Sequence, residues 1–251
     1  MKIITCVKRV PATTTRVVID ASTKSLDPTG VEFLLNPYDE FAVEQALQVA
    51  AAHEGSTVTA ISLGNAAAQK ELRTVLAMGA DDAVLLTNDL ALDADVTTTA
   101  RILAEAIRGR EFDLLFFGKQ AVDNDAHGVG PAVATMLGVP CLTEVVKFEL
   151  DGDKVICERE VEGGREILES PLPCAITCQK GLNEPRYANL KGIMKAKKKP
   201  LEITEVDLGA PALEVIDLLP PADRPAGRII GEGAAAVAEL VDALRNEAKV
   251  L

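Results

Sequence analysis

Four short apolar runs, with helix-like intervals between them, restrict this chain more than any other feature. Ile3–Val7, Thr57–Leu63, Ala83–Leu86 and Phe112–Phe117 have the length and the Val, Ile and Phe content of buried strands. Between them Phe41, Val43, Ala46, Leu47 and Ala50 recur at helical spacing over about Tyr38–Ala52. Leu72, Val75, Leu76 and Met78 do the same up to a stop at Gly79, and Thr97–Ile107 supplies a third helix. Strands joined by helices of this length form parallel βαβ units with right-handed crossovers. The first 140 residues are therefore expected to build one doubly wound, mainly parallel α/β sheet.

After Gly138 the helical intervals stop. Cys141–Leu150, Val155–Val161, Glu166–Glu169 and Cys174–Cys178 follow one another directly, and Asp151-Gly152 and Gly163-Gly164 supply the residues that tight hairpin turns need. An antiparallel continuation of the same sheet, or a small annex to it, is expected. From Gly181 the periodicity fades, and Pro200, Pro211, Pro220, Pro221 and Pro225 punctuate an arm that ends in a helix near Ala234–Lys249. Such an arm buries little against itself, so it should lie on a partner.

Composition removes several functional classes. The 38 acidic against 26 basic residues leave a net charge of −12, and aromatic residues make up 3% of the chain. That surface repels a phosphate polymer and offers few stacking platforms, which disfavours nucleic-acid binding. No apolar stretch reaches the roughly 18–20 residues that span a bilayer, and Met1–Val10 lacks the apolar core of a signal peptide. Cys6, Cys141, Cys157, Cys174 and Cys178 are odd in number, contain no C-x-x-C and are joined by only two histidines. Reduced thiols in a cytoplasmic chain without a zinc site are the expectation. There is no Walker loop, no G-x-G-x-x-G after a strand and no G-x-S-x-G elbow, and no Cys or Ser stands beside His127. A chain so poorly equipped for catalysis must borrow its chemistry from a cofactor or a partner, so no catalytic residues of its own are expected.

Open parallel sheets hold ligands beyond the carboxyl ends of their strands, where strand order reverses. Those ends here are Cys6–Arg9, Ser62–Gly64 and Gly118–Gln120. Gln120–Gly130 (QAVDNDAHGVG) is polar and opens a helix whose amides could face a phosphate; it reads also as a βα loop whose small and acidic residues simply make the turn. Asn183–Lys199 sets Tyr187, Leu190, Ile193 and Met194 among five lysines. One reading is a solvated basic run. The other is a protruding anchor, with Leu190 or Met194 entering a partner's pocket while Lys195, Lys197, Lys198 and Lys199 steer an acidic surface.

VKRVP at Val7–Pro11, NPYDEFAVEQAL at Asn36–Leu47, GKQAVDND at Gly118–Asp125 and NEPRYANLKGIMKAKKKP at Asn183–Pro200 closely resemble the β subunit of electron transfer flavoproteins, over residues 1 to about 208. The resemblance implies an adenine nucleotide alpha hydrolase-like sheet and an obligate α subunit that holds most of a redox-active FAD. It also implies a structural AMP in the β subunit. Carried over by position, the AMP contacts are Cys6, Asn36, Pro37, Tyr38, Asp39 and Leu63. They continue with Gln120, Ala121, Val122, Asp123, Asn124, Asp125, Ala126, His127, Gly128 and Val129. Asn183–Lys199 becomes a recognition loop that docks through Leu190 on acyl-CoA dehydrogenases, with a quinone oxidoreductase-type acceptor downstream.

Two departures leave the nucleotide open. The ending Val129-Gly130-Pro131 looks more like electron-bifurcating relatives, in which a second FAD replaces AMP, whereas Ala12 after the Val-Pro pair and the Lys-rich loop look like the ordinary branch. A free-standing adenine-nucleotide module of the universal-stress type is the rival from another class. An ATP-pyrophosphatase would want a Ser-Gly-Gly-rich loop, which Lys8–Thr15 does not supply. The expected organisation is a nucleotide-binding domain over 1–181, a recognition loop over 182–200, and an arm and helix over 201–251 that pack on the α subunit.

Overall fold

The computed structural model describes every residue except 21, 24, 214, 220, 221 and 223–225, so Pro220, Pro221 and Pro225 of the expected arm lie outside the described residues. The chain divides into two compact units, Met1–Asp217 and Leu218–Leu251.

In the first unit the opening apolar run becomes β1 (Lys2–Cys6). Short strands β2 (Arg9–Pro11) and β5 (Phe33–Leu35) pair antiparallel, as do β3 (Ile19–Asp20) and β4 (Ser25–Leu26). Helix α1 (Pro37–Ala52) starts on a proline, whose fixed φ and missing N–H suit a first helical position. The alternation continues through β6 (Thr57–Gly64), α2 (Gln69–Met78), β7 (Asp82–Thr87), α3 (Val96–Arg108), β8 (Leu114–Gly118) and α4 (Val129–Leu137). Strands β9 (Cys141–Asp151), β10 (Lys154–Val161), β11 (Gly164–Pro171) and β12 (Cys174–Cys178) follow, then α5 (Leu190–Ala196) and β13 (Leu201–Glu205).

Nine of these strands form one sheet in the order β11-β10-β9-β12-β8-β1-β6-β7-β13. Helices α1 and α2 cover one face through Val43, Leu47, Leu72 and Leu76, and α3 and α4 cover the other through Leu103, Ile107 and Val133. Strands buried on both faces read as continuous apolar runs, which is why Leu114–Phe117 is apolar at every position. Phe116 is fully buried and meets Phe148 edge to face with ring centres 5.6 Å apart.

Two expectations change. Cys174–Cys178 does not extend an antiparallel series; it enters between β8 and β9 and runs parallel to both, leaving β10 as the one strand that opposes its neighbours. Leu201–Glu205 does not begin the arm; it is the sheet's edge strand, parallel to β7. In the second unit a 3₁₀ turn at Ala234–Ala236 leads into α6 (Val237–Asp242) and a wider turn at Ala243–Glu247, where Arg228 pairs with Glu247 at 2.6 Å.

Candidate functional site

Strand order reverses at β1: the chain steps outward through β6 to β7, then returns to place β8 on the other side of β1. The crevice beyond the carboxyl ends of β1 and β8 is where an open sheet leaves room for a ligand. A cleft of about 740 Å³, its mouth included, lies there. Cys6, Leu63 and Phe117 line it from the strand ends, and Lys119, Gln120, Ala121, Asn124, Ala126 and Val129 line it from the following segment. Ala91, Ala94, Val96 and Thr99, before and within the start of α3, also line it.

Asp39 ties the strand ends together. Its Oδ2 accepts from the Lys8 amide at 2.7 Å, and its Oδ1 accepts from Asn36 Nδ2 at 2.9 Å and the Gly118 amide at 3.2 Å. Burial pushes its pKa up to about 7, against the hydrogen bonds from Asn36, Lys8 and Gly118 that favour the anion. The fit needs glycine at 118, because a Cβ there would overlap Asp39 Oδ1 and lie 2.7 Å from the Tyr38 carbonyl carbon. Asn36 extends the clamp to the next segment, donating to the Gln120 carbonyl at 2.8 Å while its Oδ1 accepts from the Val122 amide at 3.1 Å. Burial also pushes the Cys6 thiol up, with the Asp39 charge adding to it, so Cys6 serves as a neutral wall rather than a thiolate.

The 120–126 segment is fixed from both ends. Gln120 Nε2 donates to Asp125 Oδ1 at 2.5 Å, Ala126 N donates to Asn124 Oδ1 at 3.1 Å, and Asp125 itself has the positive φ of 51° that aspartate tolerates in turns. Lys8, which lines the cleft, pairs through its Nζ with Asp123 at 2.6 Å. Lys119 Nζ sits 5.3 Å above the Tyr38 ring and 3.8 Å from Glu144, which is also 3.8 Å from His127. Helix α4 begins with no side-chain cap and no acidic residue in its first turn, so its first amides are open to an anion.

Of the sixteen positions carried over for a nucleotide, Cys6, Asp39, Leu63, Gln120, Ala121, Asn124, Ala126 and Val129 line the cleft directly. Asn36, Tyr38, Asp123 and His127 stand behind them through the contacts above, and Pro37 starts the helix that carries Asp39. Val122 reaches Asn36 through its backbone amide, Asp125 closes the turn, and Gly128 precedes α4. Sequence reasoning misses the wall at Ala91–Thr99, while Lys8 and Lys119 fall within the strand ends Cys6–Arg9 and Gly118–Gln120 without being singled out for their charge. The strand-end rule finds that wall if it is extended one strand further, to the end of β7.

The second expected segment packs beside the sheet. Arg186 grips Glu44 of α1 at 2.7 and 2.9 Å, and Asn183 donates to the Phe41 carbonyl at 3.0 Å. Burial raises the Glu44 carboxyl, and the Arg186 fork outweighs that to hold it below the usual carboxylate range. Tyr187 (96% exposed), Leu190 (76%) and Met194 (64%) project outward, with Ile193 also exposed. Lys195, Lys197 and Lys198 are exposed, whereas Lys199 turns inward onto the end of α2. Among the described residues no helix is long and apolar enough to cross a membrane and no group of side chains suits a metal ion.

Fold and cleft together define an open-sheet α/β protein with a cleft at its switch point. Residues 23–208 match the family model of the electron transfer flavoprotein domain. The chain is 42% identical over 260 residues to the electron transfer flavoprotein subunit beta of Bacillus subtilis (strain 168), with 100% of each chain covered. It is 38% identical over 258 residues to the mitochondrial electron transfer flavoprotein subunit beta of Arabidopsis thaliana, again covering 100% of both. Similarity extends to the caffeyl-CoA reductase-Etf complex subunit CarD of Acetobacterium woodii, at 39% identity over 204 residues, 81% of this chain and 78% of that one. The chain belongs to the electron transfer flavoprotein family, as a beta subunit.

Proposed function

We propose that this chain pairs with an α subunit in the cytoplasm to form an electron carrier in which the α subunit holds most of the FAD and the cleft described above holds AMP. The carrier takes electrons from acyl-CoA dehydrogenase-type flavoenzymes and delivers them to a quinone oxidoreductase-type acceptor. The observation that carries the reading is the cleft at the end of β1 and β8, with apolar Leu63, Leu103 and Phe117 beside the uncapped start of α4. An adenine ring suits the apolar side chains and a phosphate suits the free amides and the two nearby ammonium groups. Lys8 and Lys119 supply those charges, and Asp39 and Asn36 hold the loop that carries the remaining contacts. When bound, FAD supplies the one-electron chemistry. This chain's task is then to fold around the adenylate, shield the flavin from water and present Tyr187–Lys198 to the donor enzyme.

A second FAD in place of AMP is the other occupant the residues suggest, through Val129-Gly130-Pro131. Gly130 has a packing reason of its own, since a Cβ there would lie 2.8 Å from Thr177 Cγ2, and so it does not require a second flavin. Release of bound nucleotides from the purified heterodimer tests the proposal. One FAD and one AMP per heterodimer is the expected result; two FAD and no AMP would replace it with the bifurcating arrangement. For the donor side, Leu190→Ala should slow flavin reduction by an acyl-CoA dehydrogenase while leaving flavin content unchanged.

A further inference from the structure

Helix α5 is seven residues long and carries Gly192 inside it. A peptide of that length and composition is not helical in water by itself, so its shape comes from its neighbours. At its start, Asn189 Oδ1 accepts from the Gly192 amide at 2.8 Å. At its end, Arg73 of α2 sends one nitrogen, Nη1, to the carbonyls of Ala196 and Lys199 at 2.7 and 2.8 Å. The exchange is reciprocal. Lys199 Nζ donates to the carbonyl of Leu76 in the last turn of α2 and to that of Gly79 just after it, each at 3.1 Å, and to that of Ala80. Between the two caps the helices touch backbone to backbone: a Cβ on Gly192 would overlap the Ala77 carbonyl oxygen.

We infer that Arg73 is a positioning residue for partner docking: with Lys199 it locks α2 and α5 together, so that Leu190 and Met194 are presented on a preformed helix rather than on a loop that must order at encounter. Lys199, for its part, stabilises α2 instead of facing the partner with Lys195, Lys197 and Lys198. The inference rests on reading Tyr187–Lys198 as the docking segment. Its physical basis is that affinity falls with the fraction of molecules holding the competent shape, and charge-assisted bonds to helix-terminal carbonyls raise that fraction.

The test uses the intact heterodimer with an acyl-CoA dehydrogenase as electron donor. Arg73→Met keeps the apolar stem and removes both bonds; it should raise the KM for the carrier about three- to tenfold, with kcat and flavin content unchanged. Amide exchange at Ile193–Ala196 should quicken in the same complex, and Arg73→Lys, which keeps a charged donor, should recover part of the affinity. If Arg73→Met does not assemble, Arg73→Gln takes its place with the same expectation. A KM within twofold of wild type, or unaltered exchange in α5, overturns the inference. Leu190→Ala separates the two levels: an unchanged rate there defeats the docking reading itself, whereas a slowed Leu190→Ala beside a normal Arg73→Met defeats only the positioning role.

Discussion

Replacing Asp39 by Asn keeps the outline of the buried side chain and abolishes its proton equilibrium. The wild-type residue is 5% exposed, and its pKa rises from 3.8 to about 7, chiefly through burial. Between those values the folded protein holds a proton that the unfolded chain has released, so folding is favoured as the pH falls through the window. The contribution is fully present below pH 3.8 and is lost as the pH rises through about 7. At about 1.4 kcal/mol per unit, the rise amounts to an effect on the order of 4 kcal/mol. The amide does not titrate. The stability of wild type relative to Asp39→Asn should therefore decline between pH 5 and 7 and level off above pH 8. A constant offset of about 1–3 kcal/mol accompanies it, because the amide NH₂ must face one of three donors, the Lys8 and Gly118 amides or Asn36 Nδ2. Urea unfolding of both forms at fixed protein concentration across pH 5–8, followed by circular dichroism, measures the difference directly. A gap that stays flat over that range would mean an ordinary, already ionised carboxylate and would refute the burial reasoning.

Gly118→Ala should lower the thermal midpoint and, under the proposed AMP reading, reduce nucleotide content, since the added methyl meets Asp39 and the backbone of Tyr38 and such overpacking costs about 1–3 kcal/mol. Retention of AMP with an unchanged midpoint would show that the loop yields instead. Glu44→Gln should destabilise the fold by about 1.5–3 kcal/mol at neutral pH by loosening the Arg186 fork, read as a shift in the urea midpoint. The Glu44 carboxyl lies below its usual value of 4.5, so that contribution is present above pH 4.5 and disappears on acidification. Asp95 caps α3 by accepting from the Thr98 amide, which does most to hold its pKa down to about 2, with the Thr98 hydroxyl and the amides of Ala212 and Leu213 adding to it. The stability gap between wild type and Asp95→Ala should be full above pH 3.8 and close toward pH 2 in acid titrations followed by fluorescence of a bound probe.

The alternation up to β8 is legible because each element is long enough for its period to show and each boundary has a chemical marker, such as Pro37 before α1 or Gly79 after α2. What escapes is structure made by distant partners. Helix α5 owes its end to Arg73, more than a hundred positions away, and carries a glycine that argues against helix when the sequence is read locally. Strand β13 is short, and Glu202 and Ile203 are both exposed on it, so neither alternation nor a continuous apolar run appears. The direction of β12 depends on pairing with β8 and β9, which no turn in its neighbourhood reveals. The site divides in the same way. Asp39 and Gln120–Val129 carry side chains that announce polar work, whereas Ala91, Ala94 and Val96 are ordinary residues that acquire importance only from where β7 ends.

The path from β12 to β13 has a mechanical consequence. Strand β12 lies near the middle of the sheet and β13 at its rim, with β8, β1, β6 and β7 between them, so the outward-facing Leu190 belongs to a strap anchored at both ends in hydrogen-bonded strands. A pull applied there is shared between β12, held by parallel ladders to β8 and β9, and β13, held by its ladder to β7. Tension applied at Leu190 therefore reaches the body of the sheet from both sides and not a free-hanging flap.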